Sequence, residues 1–292
     1  MLILSNIGFL FQSVIIGIVE GITEFLPVSS TGHLIIVENL LGFQGQNPHY
    51  VEMYTYVIQL GAILSVIVLY RSKIFHTLKN FFPQQVGYER SGFKFWFMIF
   101  LACIPGGVFG ILLDDIAEKY LFSPIPVAIT LFLGAWFMIF AENRLRSKAL
   151  SRNAKMKNRD INVTPRQAWM IGFFQCLAII PGMSRSASTI IGGWFAGLST
   201  VAAAEFSFFL AIPVMVGMSI LKLAKTEALL SLTTLEVAAL IVGFITAFLS
   251  ALIVIKRFIA FLSKHPMRVF AYYRMFFAVI VLLAGLAGFF QS

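Results

Sequence analysis

The sequence predicts an all-α polytopic membrane protein with about six full transmembrane helices and two re-entrant broken-helix hairpins, arranged as an inverted-topology repeat. Three observations lead to this fold class. Of the 292 residues, 59% are hydrophobic and only 12% are charged, whereas soluble domains contain about 25% charged residues. The apolar residues form long runs, and the basic residues fall between those runs. This composition excludes a soluble globule, a disordered chain and a disulfide scaffold.

Six apolar segments have the length of a membrane-spanning helix, about 20 residues. They cover residues 51–70, 95–113, 125–142, 200–221, 234–255 and 269–290. Two other apolar regions, residues 8–42 and 167–198, are broken midway by Pro, Gly and Ser. Each half of these regions is too short for an easy crossing, so we expect a helix, a break and a second helix that returns to the side it came from.

The basic residues concentrate in three connections, residues 71–94, 143–166 and 256–268. The positive-inside rule places all three in the cytoplasm. The opposite connections are acidic or mixed, with Asp114, Asp115, Glu118, Glu227 and Glu236. The net charge of +9 therefore reflects orientation in a membrane, and we expect no nucleic-acid partner. No signal peptide is predicted, so the N-terminus is expected to be retained.

The two broken regions are related to one another. Gly17-Ile-Val-Glu and Gly172-Phe-Phe-Gln recur about 155 residues apart, and each is followed by Pro and Ser. Because the charge pattern makes the hairpins enter from opposite faces, the halves form an inverted repeat whose breaks meet near the midplane. We expect one integral membrane domain, residues 1–292, with a first repeat (1–142), a basic cytoplasmic loop (143–166) and a second repeat (167–292).

Ionisable groups at membrane depth are candidate functional groups, because burying them is costly. Glu20 and Glu24 of the first hairpin are four residues apart and share a helix face. Two carboxylates at that spacing repel each other in a low dielectric. A proton, an arginine or a divalent cation would relieve the repulsion.

Near the second break lies one charged residue, Arg185, among hydroxyl side chains that include Ser184, Ser186 and Thr189. If the breaks meet, this guanidinium faces the carboxylates of the first hairpin. The arrangement fits a structural ion pair. It also fits a phosphate site, since Arg, hydroxyls and helix N-terminal amides bind phosphate oxygens.

Ser29, Ser30 and Thr31 precede a helix predicted near Gly32, so at least one of them is expected to be an N-cap. His33 lies three residues after Ser30, within reach of a hydroxyl in the same turn. Ser30 activated by a neighbouring base and direct attack by His33 on phosphorus are both consistent with this spacing.

The strings Glu-Gly-Ile-Thr-Glu-Phe-Leu-Pro-Val-Ser-Ser-Thr-Gly-His (20–33) and Pro-Gly-Met-Ser-Arg-Ser-Ala-Ser-Thr (181–189) closely resemble the undecaprenyl-diphosphatase, or bacitracin-resistance, family. The resemblance covers nearly the whole chain. The E-x-x-x-E motif of the family falls on Glu20 and Glu24, its Ser and His on Ser30 and His33, and its P-G-x-S-R-S motif on residues 181–186.

This resemblance implies hydrolysis of undecaprenyl diphosphate to undecaprenyl phosphate and inorganic phosphate, which recycles the lipid carrier for cell-wall synthesis and gives bacitracin resistance. It implies a multi-pass protein of the bacterial cytoplasmic membrane, in contact with membrane lipid, whose substrate arrives from the outer leaflet. Mg²⁺ or Ca²⁺ is the expected cofactor, held by Glu20 and Glu24. The oligomeric state, including a homo-oligomer, is left open.

The implied roles divide the candidate residues into two groups. The expected catalytic residues are Glu20, Glu24, Ser30, His33 and Arg185. The expected substrate-binding residues are Ser29, Thr31, Ser184, Ser186 and Thr189. In this hypothesis Arg185 holds the terminal phosphate, Ser30 attacks, and His33 is its base or the acid for the leaving group.

A secondary transporter or lipid flippase is the competing function. Inverted repeats and midplane carboxylates are typical of transporters, and Glu20 with Glu24 would then relay a proton or cation. The Arg and Ser cluster favours the enzyme, since a simple cation carrier does not need it.

Overall fold

The computed structural model describes residues 2–155, 162–226 and 231–289, and these ranges contain helices, turns and no strand. The helices are α1 (Leu2–Thr23), α2 (Ser30–Leu41), α3 (Tyr50–Leu69), α4 (Arg71–Lys79), α5 (Pro83–Val86), α6 (Gly92–Leu121), α7 (Pro124–Lys155), α8 (Pro165–Gln175), α9 (Arg185–Phe195), α10 (Thr200–Lys225), α11 (Thr234–Lys264) and α12 (Arg268–Leu286). Short 3-10 turns cover Tyr88–Arg90 and Cys176–Ile179.

Seven of the described helices are long and apolar enough to cross a membrane: α1, α3, α6, α7, α10, α11 and α12. The prediction of an all-α polytopic membrane protein is confirmed. Six of the seven match the predicted spans, and the seventh is α1. This first arm of the first hairpin is longer than expected because its helix begins at Leu2 rather than near residue 8.

Parts of three predicted features lie outside the described residues. They are residues 156–161 of the basic loop, Glu227 of an acidic connection, and the last residue of the predicted span 269–290. The described part of the basic loop is helical up to Lys155, as a continuation of α7.

Helix α1 packs closely against α11 through small residues. A Cβ atom on Gly17 would lie 2.6 Å from the carbonyl oxygen of Gly243, and one on Gly21 would lie 2.4 Å from that of Ala247. This is the small-xxx-small contact that lets membrane helices approach closely. Because Ala247 lies near the middle of α11, the chain break that follows α1 lies about halfway along that helix.

The second hairpin is held in the same way. A Cβ atom on Gly172 of α8 would lie 2.5 Å from the carbonyl oxygen of Ala102, which is part of α6. Each hairpin therefore packs against a long helix of the other half, α1 against α11 and α8 against α6. This reciprocal packing supports the inverted repeat. The boundaries of the two repeats and the re-entrant path of each hairpin stay predictions.

The two breaks share an unusual backbone conformation. Ser29 and Ser184, the residues before α2 and α9, have φ angles of 72° and 69°. Among the described residues they are the non-glycine positions with positive φ. This conformation is costly for a residue with a side chain, so the surrounding structure must hold it in place. The first residues of both short helices, Ser30 and Arg185, follow directly and both contact Glu24.

Candidate active site

The two breaks meet at Glu24. Its Oε1 atom accepts a hydrogen bond of 2.9 Å from Arg185 Nη2, and its Oε2 atom accepts one of 2.6 Å from Ser30 Oγ. The side chains of Glu24 and Arg185 are only 5% and 11% exposed. The structure thus brings together three of the sequence-predicted catalytic residues around one carboxylate.

Arg185 is held by further contacts from α10. Its Nη1 atom donates to the carbonyl oxygen of Ser207 at 3.1 Å, and its Nη2 atom lies 3.6 Å from Met215 Sδ. The guanidinium also lies over the ring of Phe25, 5.9 Å from the ring centroid. Its buried Nε atom has no hydrogen-bond partner. Arg185 therefore keeps a free donor within a fixed geometry.

Glu20 lies one helical turn before Glu24 and is fully buried. Both of its carboxylate oxygens lack a hydrogen-bond partner. Buried carboxylates need a partner, a proton or a cation, so these orphaned oxygens fit the divalent cation that the family resemblance implies. Among the described residues no group of three or more His, Cys, Asp or Glu side chains forms a metal site. A cation here would complete its coordination with water or phosphate oxygens, as Mg²⁺ commonly does.

The hydroxyl groups of the second break join the two hairpins. Ser186 Oγ donates to the carbonyl oxygen of Leu26 at 2.9 Å, and it lies 3.1 Å from Ser184 Oγ. Ser184 Oγ also caps α9 by accepting from the Ala187 amide at 3.3 Å. Thr189 Oγ1 donates to the carbonyl oxygen of Arg185 at 2.9 Å. Ser186 and Thr189 thus already have protein partners, and their predicted contact with substrate stays a prediction.

His33 has different neighbours from those expected. Its Nδ1 atom lies 2.7 Å from the carbonyl oxygen of Ser29, and its Nε2 atom lies 2.7 Å from Tyr273 Oη. The ring stacks on Phe277 at a centroid distance of 4.0 Å. The hydroxyl of Ser30 bonds to Glu24 and not to His33. The hydrogen bonds of His33 therefore go to Ser29 and Tyr273 and not to Glu24, Ser30 or Arg185.

A cavity of about 470 Å³ opens beside this cluster. Its walls include most of the predicted polar residues of the breaks: Glu24, Ser29, Ser30, Thr31, Ser184 and Arg185. From there it extends to Glu52 near the start of α3 and to Asp114 near the end of α6. Most of the remaining wall is apolar, which is typical of ligand sites that hold a few convergent polar groups.

Sequence reasoning missed three polar residues near the breaks. Glu38 lines the cavity and accepts a hydrogen bond of 3.0 Å from Thr55 Oγ1. Arg274 is fully buried and donates to the carbonyl oxygen of Gly182 at 2.7 Å. Both are ionisable residues within apolar segments, so the rule that selected Glu20 would also have selected them. The third, Tyr273, gives no comparable signal, because tyrosine is common at the ends of membrane helices.

The chain resembles proteins of known name over almost its full length. The family described as "Bacitracin resistance protein BacA" matches residues 13–280. The chain is 61% identical over 287 residues to an undecaprenyl-diphosphatase of Ruminiclostridium cellulolyticum, covering 98% of this chain and 100% of the relative. It is 51% identical over 277 residues to an undecaprenyl-diphosphatase of Clostridium tetani, covering 95% and 97% of the two chains.

Proposed function

Because the chain belongs to the bacitracin resistance protein family, we propose that it hydrolyses undecaprenyl diphosphate to undecaprenyl phosphate and inorganic phosphate. The relatives named undecaprenyl-diphosphatase support this activity. It is a multi-pass membrane phosphatase, and its substrate is a lipid. The isoprenoid tail can stay in the bilayer while the diphosphate enters the cavity beside the breaks.

The observation that carries the mechanism is the shared carboxylate of Glu24, which bonds to Ser30 Oγ and Arg185 Nη2 at 2.6 and 2.9 Å. A serine hydroxyl donating to a buried carboxylate is a nucleophile beside its base. An arginine with a free Nε donor can hold the equatorial oxygens of a phosphate. The three groups therefore supply attack, proton acceptance and charge stabilisation at one point.

In the first step Ser30 Oγ attacks the terminal phosphorus atom of the substrate. The bond from this phosphorus to the bridging oxygen breaks, and the bridging oxygen leaves with undecaprenyl phosphate. The hydroxyl proton of Ser30 passes to Glu24 along their hydrogen bond. Arg185 stabilises the charge that develops on the transferred phosphoryl group.

In the second step water attacks the phosphoserine. The bond from Ser30 Oγ to phosphorus breaks, and Glu24 returns its proton to this oxygen. Both hydrogen atoms of the water leave with inorganic phosphate, so the enzyme returns to its starting state. His33 takes no part in this sequence, because its two ring nitrogens bond to Ser29 and Tyr273.

Glu20, with Glu24 beside it, would hold a divalent cation, Mg²⁺ or Ca²⁺. The unpartnered oxygens of Glu20 support this proposal. When bound, the cation supplies positive charge that weakens the repulsion between the diphosphate and the carboxylates. The hydroxyls of Ser29, Thr31 and Ser184 line the cavity together with Glu24 and would donate to phosphate oxygens.

The direct test is release of labelled phosphate from radiolabelled undecaprenyl diphosphate by the purified protein in detergent. We expect turnover without any membrane gradient, whereas a transporter or flippase would give none. A chelator should abolish turnover, and added Mg²⁺ or Ca²⁺ should restore it. Turnover that is unchanged by chelator would contradict the cation site.

Replacing Arg185 with alanine tests whether this cluster is the site. Loss of a transition-state donor costs about 100-fold to 1,000-fold in kcat. The matched control is Arg257→Ala, because Arg257 is exposed on α11 in a basic connection. The control should keep normal activity, and an active Arg185→Ala enzyme would refute the assignment.

We propose that the protein lies in the bacterial cytoplasmic membrane with its cavity open to the outer face. The cavity extends toward Glu52 and Asp114, at helix ends opposite the basic connections. By the positive-inside rule, those helix ends face outward.

A membrane-impermeant maleimide added to intact cells tests this orientation. In a background with Cys103 and Cys176 changed to alanine, a cysteine replacing the exposed His49 should be labelled. A cysteine replacing the exposed His265, within the basic connection 256–268, should be labelled only after lysis. The reverse pattern would invert the proposed orientation.

A further inference from the structure

The bonds of His33 fix its tautomer. A carbonyl oxygen can only accept a hydrogen bond, so Nδ1 must carry the proton that bonds to the oxygen of Ser29 at 2.7 Å. In the neutral ring Nε2 is then an acceptor, and it accepts a hydrogen bond of 2.7 Å from the hydroxyl group of Tyr273. The ring is enclosed by stacking on Phe277 and is 6% exposed.

The second hairpin has the same bond at the corresponding place. Ser188 Oγ donates to the carbonyl oxygen of Ser184 at 2.9 Å. Ser188 and His33 each follow a positive-φ serine by four residues, Ser184 and Ser29. In both hairpins, therefore, a side chain in the first turn of the short helix donates to the carbonyl of the strained residue before it.

From this correspondence we propose that His33, held by Tyr273, is a positioning residue that fixes the carbonyl of Ser29 and is not the base or nucleophile of the reaction. The proposal rests on the function proposed above, in which Ser30 attacks. Ser188 performs the same task for the helix that begins at Arg185.

The local geometry gives the physical reason. The positive φ of Ser29 is unfavourable for a residue with a side chain and persists only while its neighbours hold it. The next residue is Ser30, whose hydroxyl must stay within 2.6 Å of Glu24. Without the bond from His33, the peptide of Ser29 can relax and carry Ser30 away from the carboxylate. A displacement of about 1 Å in a reacting group can cost about 100-fold in rate.

Substitutions at position 33 separate positioning from proton transfer. His33→Ala removes the donor and should lower kcat about 100-fold with little change in KM. His33→Ser supplies the hydroxyl that Ser188 uses in the other hairpin, and His33→Asn supplies an amide donor. We expect either variant to recover most of the kcat that His33→Ala loses, although neither carries an imidazole. Melting temperatures in detergent identify the variants that fold.

Two outcomes would overturn the proposal. One is that folded His33→Ser and His33→Asn are as inactive as His33→Ala, since only the imidazole would then suffice. The other is full activity of His33→Ala. Tyr273→Phe should give a smaller loss of kcat, and Tyr272→Phe, which alters the exposed neighbouring tyrosine, should give none.

The tautomer can be read without any activity. In ¹⁵N-histidine NMR of the whole protein, the signals lost in His33→Ser belong to His33, and we expect them to report a neutral ring protonated at Nδ1. A ring protonated at Nε2 would contradict the proposal. If wild-type protein released no phosphate, the proposed function would be contradicted. The NMR result would still test the tautomer of His33, because it does not depend on turnover.

Discussion

At the scale of single residues, Glu24 gives each of its oxygen atoms a separate partner. Oε1 faces Arg185 and Oε2 faces Ser30. The guanidinium of Arg185 therefore compensates the charge of the buried carboxylate at Oε1, while Oε2 accepts a hydrogen bond from the Ser30 hydroxyl. Removing one partner of a buried ion pair leaves an uncompensated charge, which is strongly unfavourable. The pair thus stabilises the meeting point, and the proposed mechanism also requires it for the chemistry.

Glu24→Gln should lower kcat because an amide of similar shape cannot accept the proton of Ser30. General-base catalysis contributes about 100-fold to 10,000-fold, so a loss in this range is expected. Rapid-quench trapping with labelled substrate should show phosphoserine in wild type, almost none in Glu24→Gln and none in Ser30→Ala. Asp115→Asn, at an exposed position on α6, is the matched control. Normal turnover by Ser30→Ala would transfer the attack to His33 or water.

The cost of burying charge was enough to select Glu20, Glu24 and Arg185 from the sequence as candidate functional residues. Spacing alone could not predict which side chain accepts the hydrogen bond of Ser30. His33 is close to Ser30 in sequence, but the positive φ of Ser29 turns the hydroxyl toward Glu24. The partner of His33 lies 240 residues away along the chain, so no local pattern reveals it.

At the scale of elements, the depth of each hairpin depends on glycine contacts with a long helix. Gly21→Ala should lower the melting temperature, because its new methyl group would lie 2.4 Å from the backbone oxygen of Ala247. Overpacking of this kind costs about 1–3 kcal/mol. Gly8→Ala is the control in the same helix, since a Cβ atom there meets nothing within 4 Å. If both variants melted alike, the close packing of α1 on α11 would be contradicted.

The elements were predictable to the extent that their limits are set by hydropathy. The apolar runs predicted six of the long helices, and Pro, Gly and Ser marked both breaks. The end of α7 was not predicted: the apolar run stops at 142, but the helix continues to Lys155. Arg, Lys and Ala favour helix, so leaving the apolar layer does not end a helix that water can solvate.

At the scale of the whole molecule, the two halves are incomplete without each other. Glu24 and Ser30 come from the first half and Arg185 from the second, while α1 packs on α11 and α8 on α6. Neither half can therefore form the cavity or cover the inner face of its own hairpin. If each half were self-contained, each hairpin would instead pack against a long helix of the same half.

A chain interrupted after Lys155 tests this interdependence. Co-expressed fragments should assemble, because the contacts between halves are formed by helices that the cut leaves whole. An affinity tag on one fragment should recover the other, with phosphate release within about tenfold of wild type, whereas either fragment alone should release none. A cut after Ala135, inside α7, is the control and should prevent recovery, since it divides a helix that packs against α12. Activity in a single fragment would contradict a site shared between halves, because Glu24 and Arg185 lie on different fragments.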